Sequence, residues 1–433
     1  MQQSKFQLIL IGVFTVFIVI GVILFAMSGR GSSSKIARLT VWGTMQQPIF
    51  LNIYDQSSLS KNKNIAITYV EKSPNTFDSE FVNALAEGRG PDIIFLTHDS
   101  LLKNTNRLIV IPYDSYSERT FKDTFVEEGE LFLTPSGILA LPITIDPLIM
   151  YWNRDIFTSA GIAEPPAFWD EFFKLSQNLT LKDGAFNIKR STIALGEYSN
   201  INNAKEIFSA LLMQAGTPIV ARVNGIPTSL LSEKFNLPIQ PATSALSFYT
   251  EFSNPSKPHY SWNRSRPNSV DAFLVGDLAV YFGLASELPK LKLKNPNLNF
   301  DIKALPQSSN VRTGERKVTF GRMLGAAIVR NSTKVSPAFA AILEFSSANF
   351  SKRFAEVNSV SPARRDLLSQ YQADAFKPVV YSSALSAKAW LDPDYAGTSS
   401  IFENLIESVT GGRLKMEAAI TGANSSITQL LRK

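Results

Sequence analysis

The sequence predicts an α/β protein of two lobes joined by crossing strands and preceded by one N-terminal transmembrane helix. Three observations carry this. The chain has 433 residues, more than one hydrophobic core usually serves. From residue 37 onward, β-branched and aromatic runs alternate with amphipathic stretches, the pattern of a parallel sheet covered by helices. Midway, two apolar runs, Ile138 to Ile143 and Leu148 to Trp152, read as buried strands with Asp146-Pro147 in the polar break between them. Pro147 holds Asp146 extended and removes a backbone donor. That placement suits a crossover with its carboxylate facing an inter-lobe gap. The same residues also suit a solvated surface turn.

Composition narrows the function classes. Hydrophobic residues make up 45% and charged residues 18%, the balance of a globular chain. The net charge of +6 is small for this length and its basic residues are scattered, so no nucleic-acid partner is expected. No cysteine is present, which excludes disulfides, thiolate metal sites and cysteine nucleophiles. With only His98 and His259, a histidine zinc site or a Ser-His-Asp triad has little to draw on. No cofactor or metal is expected.

In chain order, Phe6 to Met27 is apolar apart from Gly12, Thr15 and Gly21, long enough to span a bilayer and longer than the core of most signal peptides. An uncleaved membrane anchor is therefore expected, although Ala26 and Ser28 supply the small residues a cleavage site needs. Lys5 on one side and Arg30, Lys35 and Arg38 on the other leave its orientation open. Gly29 to Ser34 is a tether. Ala37 to Trp42, Ile65 to Val70 and Asp92 to Leu96 read as strands, with helices between them carrying Phe50, Ile53 and Tyr54, then Phe77, Phe81, Ala84 and Leu85. Ligands of such sheets sit beyond the carboxyl ends of strands, here Thr44 to Gln47 and Thr97 to Ser100. Later strands are expected at Thr192 to Gly196, Leu278 to Gly283 and Phe300 to Leu305.

Several segments carry a family resemblance. Gly90-Pro91-Asp92-Ile93-Ile94-Phe95 followed by His98-Asp99 is one. Leu141-Pro142-Ile143, Met150-Tyr151-Trp152-Asn153-Arg154-Asp155, Ala160-Gly161-Ile162 and Pro165-Pro166-Ala167-Phe168-Trp169-Asp170-Glu171-Phe172 form a second. Phe273-Leu274-Val275-Gly276-Asp277-Leu278-Ala279-Val280 and Ser361-Pro362-Ala363-Arg364 continue it. Together they resemble the extracellular solute-binding proteins of ABC importers, the maltodextrin-binding member in particular. The resemblance implies a two-lobed periplasmic-binding-protein-like fold with three hinge crossings. The implied division is an anchor and tether at 1–34, a first lobe of 35–144 plus 308–360, and a second of 145–307 plus 361–433. It further implies a monomer that captures a small-molecule solute, a sugar, between its lobes and delivers it to ABC permease subunits in the membrane.

Sugar binding needs carboxylates and amides for hydroxyls, and aromatic faces for apolar C–H patches. Asp99 and Asp146 match family positions that contact sugar; Asp99 also suits a helix N-cap. Thr44, Thr97 and Ser286 lie where strand ends meet the cleft, and Arg322 can donate to a hydroxyl or carboxylate or stay a surface charge. Trp42, Tyr281 and Trp390 are stacking candidates that could equally be core, whereas Trp152 and Trp169 read as packing and His98 as a structural hydrogen-bonder. Leu96-Thr97 and Ser100 replace an aromatic residue and an arginine of the maltodextrin binder, which leaves open another oligosaccharide, a monosaccharide or a polyol phosphate. Two other classes compete: an enzyme using Asp99 and Asp146 as acid and base on a glycosidic bond, and a receptor subunit that hands its closed state to a sensor.

Overall fold

The computed structural model describes residues 36–309, 314–370 and 373–432. The expected anchor lies outside them. Among the described residues, no helix is long and apolar enough to cross a membrane.

Strands β1 (Ala37–Gly43), β2 (Ile65–Glu71) and β3 (Ile93–Thr97) run parallel, with helices Gln47–Asp55 and Phe77–Ala86 as the crossovers. β4 (Leu141–Asn153) is the longest strand among the described residues. β5 (Ile188–Ile193), β6 (Leu278–Leu284) and β7 (Phe300–Ala304) follow, then β8 (Thr319–Ile328) and the short β9 (Ser361–Pro362). The main path across the sheet runs β2-β1-β3-β8-β4-β6-β5. Its two halves, each flanked by helices, make a two-lobed α/β molecule that meets along β4 and β8. The buried residues run continuously through both halves.

β4 corrects one expectation. The stretch read as two strands with a polar break is a single strand of 13 residues containing Asp146 and Pro147. Up to Pro147 its partners are β8 on one side and β9 on the other. From Leu148 on they are β6 and β7. One neighbour changes between Pro147 and Leu148 and the other between Ile145 and Ile149, so the lobes meet within one uninterrupted strand. Pro147 has no N–H to give a ladder, and a site of partner exchange is where that loss costs least. Ile138 belongs instead to a small hairpin, Gly137–Ile138 against Leu133–Thr134.

Most other strands fall close to their expected places, but the one expected at Thr192 to Gly196 runs earlier, over Ile188–Ile193. β8 runs antiparallel to β3, with Leu324 beside Thr97, and to β4, with Arg322 beside Asp146. Ser361 and Pro362 pair with Ile145 and Thr144 where the chain passes the junction again.

Candidate functional site

The parallel strands of the first half end toward the second half, and β4 and β8 form the floor between them. Two adjoining cavities lie in this cleft, of about 680 Å³ and about 250 Å³, sharing Thr44, Phe95, Thr97, Arg322 and Leu324. Asp99, Asp394 and Tyr395 line the larger; Asp146, Ser286 and Asn358 line the smaller. A separate cavity of about 460 Å³, reached by Glu128, Met213 and Leu391, gathers none of the sequence-predicted residues.

Six predicted residues therefore come together: Thr44, Thr97, Asp99, Asp146, Ser286 and Arg322. The Asp146 carboxylate accepts the Ser286 backbone N–H at 3.0 Å, tying the floor strand to the turn after β6. Burial pushes Asp146 up to about 6, against the pull of Ser286 and Arg322. Asp99 makes no cap; its carboxylate takes the Thr97 hydroxyl. Burial raises its pKa, but His98, Arg322 and the Thr97 hydroxyl outweigh this and hold it below the usual carboxylate range.

Three aromatic candidates lie elsewhere. Trp42 is 8% exposed and sits edge-on to Phe77 and Phe81, with the Lys72 ammonium 4.0 Å from its ring centre. Tyr281 is buried among Tyr151 and Phe273, its hydroxyl donating to Glu287 Oε2 at 2.5 Å. Trp390 is buried against Phe402 and donates its Nε1–H to Ser209 at 3.1 Å. Each side chain turns into the core, because an aromatic at a strand end or in a loop is drawn to whichever face has more apolar surface to cover.

Sequence reasoning missed Lys205, Glu206 and Tyr395. Helix Ala204–Gln214 begins after Asn203, in left-handed conformation at φ 58°, and drives its first turn into the cleft wall. Glu206, 2% exposed, accepts from Arg322 Nη2 at 2.7 Å and from the Tyr395 hydroxyl at 2.9 Å, both on Oε1. Burial disfavours charge on Arg322, but Glu206, Asp99 and Asp146 outweigh it and raise its pKa further. Lys205 pairs with Asp392 at 2.5 Å and lies 3.9 Å from the Tyr395 ring centre, so one face of that ring is covered. Only Tyr395 had a local signal, the turn-forming Asp392-Pro393-Asp394 that begins two residues after Trp390.

His98 is the structural hydrogen-bonder expected: its Nδ1 accepts the Met323 N–H at 3.2 Å, which supports β8 next to Arg322. Burial pushes His98 down to about 4 despite Asp99 nearby. Between the unfolded value near 6.5 and about 4, the unfolded chain binds a proton the folded chain refuses, so stability falls as pH falls through that window. The full loss is about 3 kcal/mol. His98→Asn keeps an acceptor for Met323 and lacks this titration. The stability gap between wild type and variant should close by about that amount from pH 7 to pH 4 in urea unfolding. A gap independent of pH would show that His98 titrates alike in the folded and unfolded chains and contradict the shift.

The arrangement is that of a binding cleft: carboxylate acceptors, a guanidinium donor and an aromatic wall. Among the described residues, no cluster of three or more His, Asp or Glu is placed to hold a metal. Solved structures share the fold. A cyclo/maltodextrin-binding protein complexed with maltotetraose matches with TM-score 0.72 and 16% identity, covering 92% of this chain and 98% of that one. An ABC transporter solute-binding protein of Thermotoga lettingae, bound with α-D-tagatose, matches with TM-score 0.66 and 17% identity, covering 91% and 100%. A maltose/maltodextrin-binding domain of Bdellovibrio bacteriovorus, bound to maltotriose, matches with TM-score 0.65 and 15% identity, covering 92% and 100%. In sequence, a binding protein of Brucella abortus (strain 2308) is 23% identical over 365 residues, 81% of this chain and 82% of that relative. The expectation of a binding protein rather than an enzyme accords with the profile that matches residues 45–338, well over half of the chain. By that match the chain belongs to the bacterial extracellular solute-binding protein family.

Proposed function

We propose that this protein is a membrane-anchored receptor that captures a carbohydrate in the cleft between its lobes and delivers it to an ABC permease. The observation that carries this reading is the convergence of Asp99 and Tyr395 on one cavity and Asp146 on the adjoining one, with Arg322 lining both, where the two halves of the sheet meet. Ionised carboxylates accept hydrogen bonds from sugar hydroxyls, and a guanidinium donates to hydroxyl and ring oxygens. The exposed part of the Tyr395 ring offers an apolar face to C–H groups. A solute touching both halves favours the closed arrangement by its differential contacts. The apolar N-terminal run supplies the anchor, and the known likenesses to sugar-bound proteins support the solute class.

The test is thermal unfolding of the full-length chain against a panel of mono- and oligosaccharides, polyols and amino acids. A ligand bound only by the folded state, at one hundred times its Kd, adds about 2.7 kcal/mol of stability. We expect a saccharide to raise the melting temperature and Asp146→Ala to abolish the shift without product formation. A shift from amino acids alone, or breakdown of the sugar, would overturn the reading.

A further inference from the structure

Arg322 is the cationic group most central to the cleft, and the structure shows it already engaged. It stands on β8, paired with the first half of the sheet through Leu324 and Thr97. Its Nη2 reaches Glu206 at 2.7 Å on a helix of the second half, across the gap between them. Glu206 is 2% exposed and shares Oε1 with the Tyr395 hydroxyl, so its position is fixed from two sides. Of the other cations, Lys103 on the larger cavity pairs with Asp78 at 2.8 Å and Asp394 at 3.6 Å, and Lys205 behind Tyr395 is committed to Asp392, Thr398 and the Tyr395 carbonyl. Asp99 and Asp146 complete an environment in which carboxylates outnumber free cations. Arg322 Nε, by contrast, is buried and has no partner within the protein.

We propose that Glu206 is a specificity-determining residue: by holding Arg322 across the cleft it reserves the site for uncharged, hydroxyl-rich solutes and excludes sugar acids and sugar phosphates. This rests on the solute-receptor reading above and adds the ligand's charge class to it. An anion that takes a spare N–H of Arg322 meets a charge Glu206 already balances, and it gains the full ion pair only by displacing Glu206. That leaves a nearly inaccessible carboxylate without its counter-charge, a costly state. The anion also meets the like charge of Asp99. A neutral hydroxyl displaces nothing. Its oxygen accepts from a guanidinium N–H that Glu206 leaves free, and its proton goes to a carboxylate. The Arg322 charge thus orients hydroxyls without serving as an anion site, and discrimination comes from the repulsive partner as much as from the attractive one.

The experiment compares wild type with Glu206→Gln, both full length, by titration calorimetry with glucuronate and inorganic phosphate as anion probes and glucose as the neutral counterpart of glucuronate. Glutamine keeps the shape and frees the guanidinium charge. Affinity for the anion probes should rise at least about tenfold in E206Q, since like-charge juxtaposition suppresses wrong partners by amounts of this order or more. Equal anion affinity in the two proteins, or tighter anion binding by wild type, overturns the inference whatever the neutral sugar does. Failure of every saccharide in the earlier panel removes the carbohydrate reading, and the anion comparison still decides the role of Glu206. Should E206Q not fold, wild-type crystals soaked in each anion decide. Arg322 remaining on Glu206 with no anion against it supports the proposal; an anion on Arg322 with Glu206 displaced overturns it.

Discussion

Gly321→Ala is expected to destabilise the folded chain by about 3 kcal/mol, at the upper end of the usual cost of overpacking a core. Gly321 is buried in β8 opposite Pro147, beside the point where β4 exchanges its partners. A Cβ there would stand 2.5 Å from Glu128 Oε2, 2.8 Å from Ala387 Cβ and 2.9 Å from Ile145 Cδ1. None of the three can retreat cheaply. Ile145 belongs to the floor strand and is itself paired with Ser361. Ala387 is held in a parallel bridge to Thr319. Glu128 is fully enclosed, and burial holds its carboxyl well above the usual range while the Met323 N–H pulls the other way. The glycine is thus required by close approach of three segments. Denaturant unfolding midpoints would measure the loss, with Gly422→Ala as control. Gly422 lies in helix Met416–Leu431 with nothing near its missing Cβ, so alanine there should be neutral or stabilise by up to about 1 kcal/mol. A Gly321→Ala protein as stable as wild type would show that the junction repacks freely, contrary to the rigid crossing drawn here.

The same junction marks how far local sequence could be read. Asp146 was placed correctly at the meeting of the halves because Pro147 beside it restricts the backbone. Its surroundings were misread as a break because a polar pair between apolar runs looks like a turn; only the partners on both sides make it a continuous strand. Thr44 and Thr97, which line both cavities, follow from a topological argument, the ends of parallel strands, which needs no side-chain detail. Trp42 and Trp390 could not be sorted in that way. Stacking on a solute and packing on Phe77 or Phe402 ask for the same residue type. Lys205 and Glu206 show the opposite limit. Adjacent opposite charges at the start of a helix ordinarily mark a solvated face, and nothing local reveals that Arg322 and Asp392 will arrive from positions over a hundred residues away.

Lys205→Met is expected to cost about 3–5 kcal/mol near pH 7.5, because it strips the counter-charge from a buried carboxylate. Lys205 and Asp392 are 5% and 2% exposed, and the ammonium donates at 2.5 Å to Asp392, 2.7 Å to the Thr398 hydroxyl and 2.9 Å to the Tyr395 carbonyl. Burial raises the pKa of Asp392 even with Lys205 pulling it down, so the variant raises it further. An acid whose folded pKa is raised takes up its proton in the folded chain before the unfolded chain does. Stability of the variant relative to wild type should therefore recover as pH falls through the raised pKa of Asp392. Adding Asp392→Asn should recover most of the loss at pH 7.5 without any such pH dependence, because the buried charge is then gone. A single variant within about 1 kcal/mol of wild type across this range would contradict the buried-pair account. If the double variant is stable but binds solute more weakly, the pair's contribution is geometric. It holds the Tyr395 ring from behind, and through Tyr395 it steadies the Glu206 carboxylate that faces Arg322.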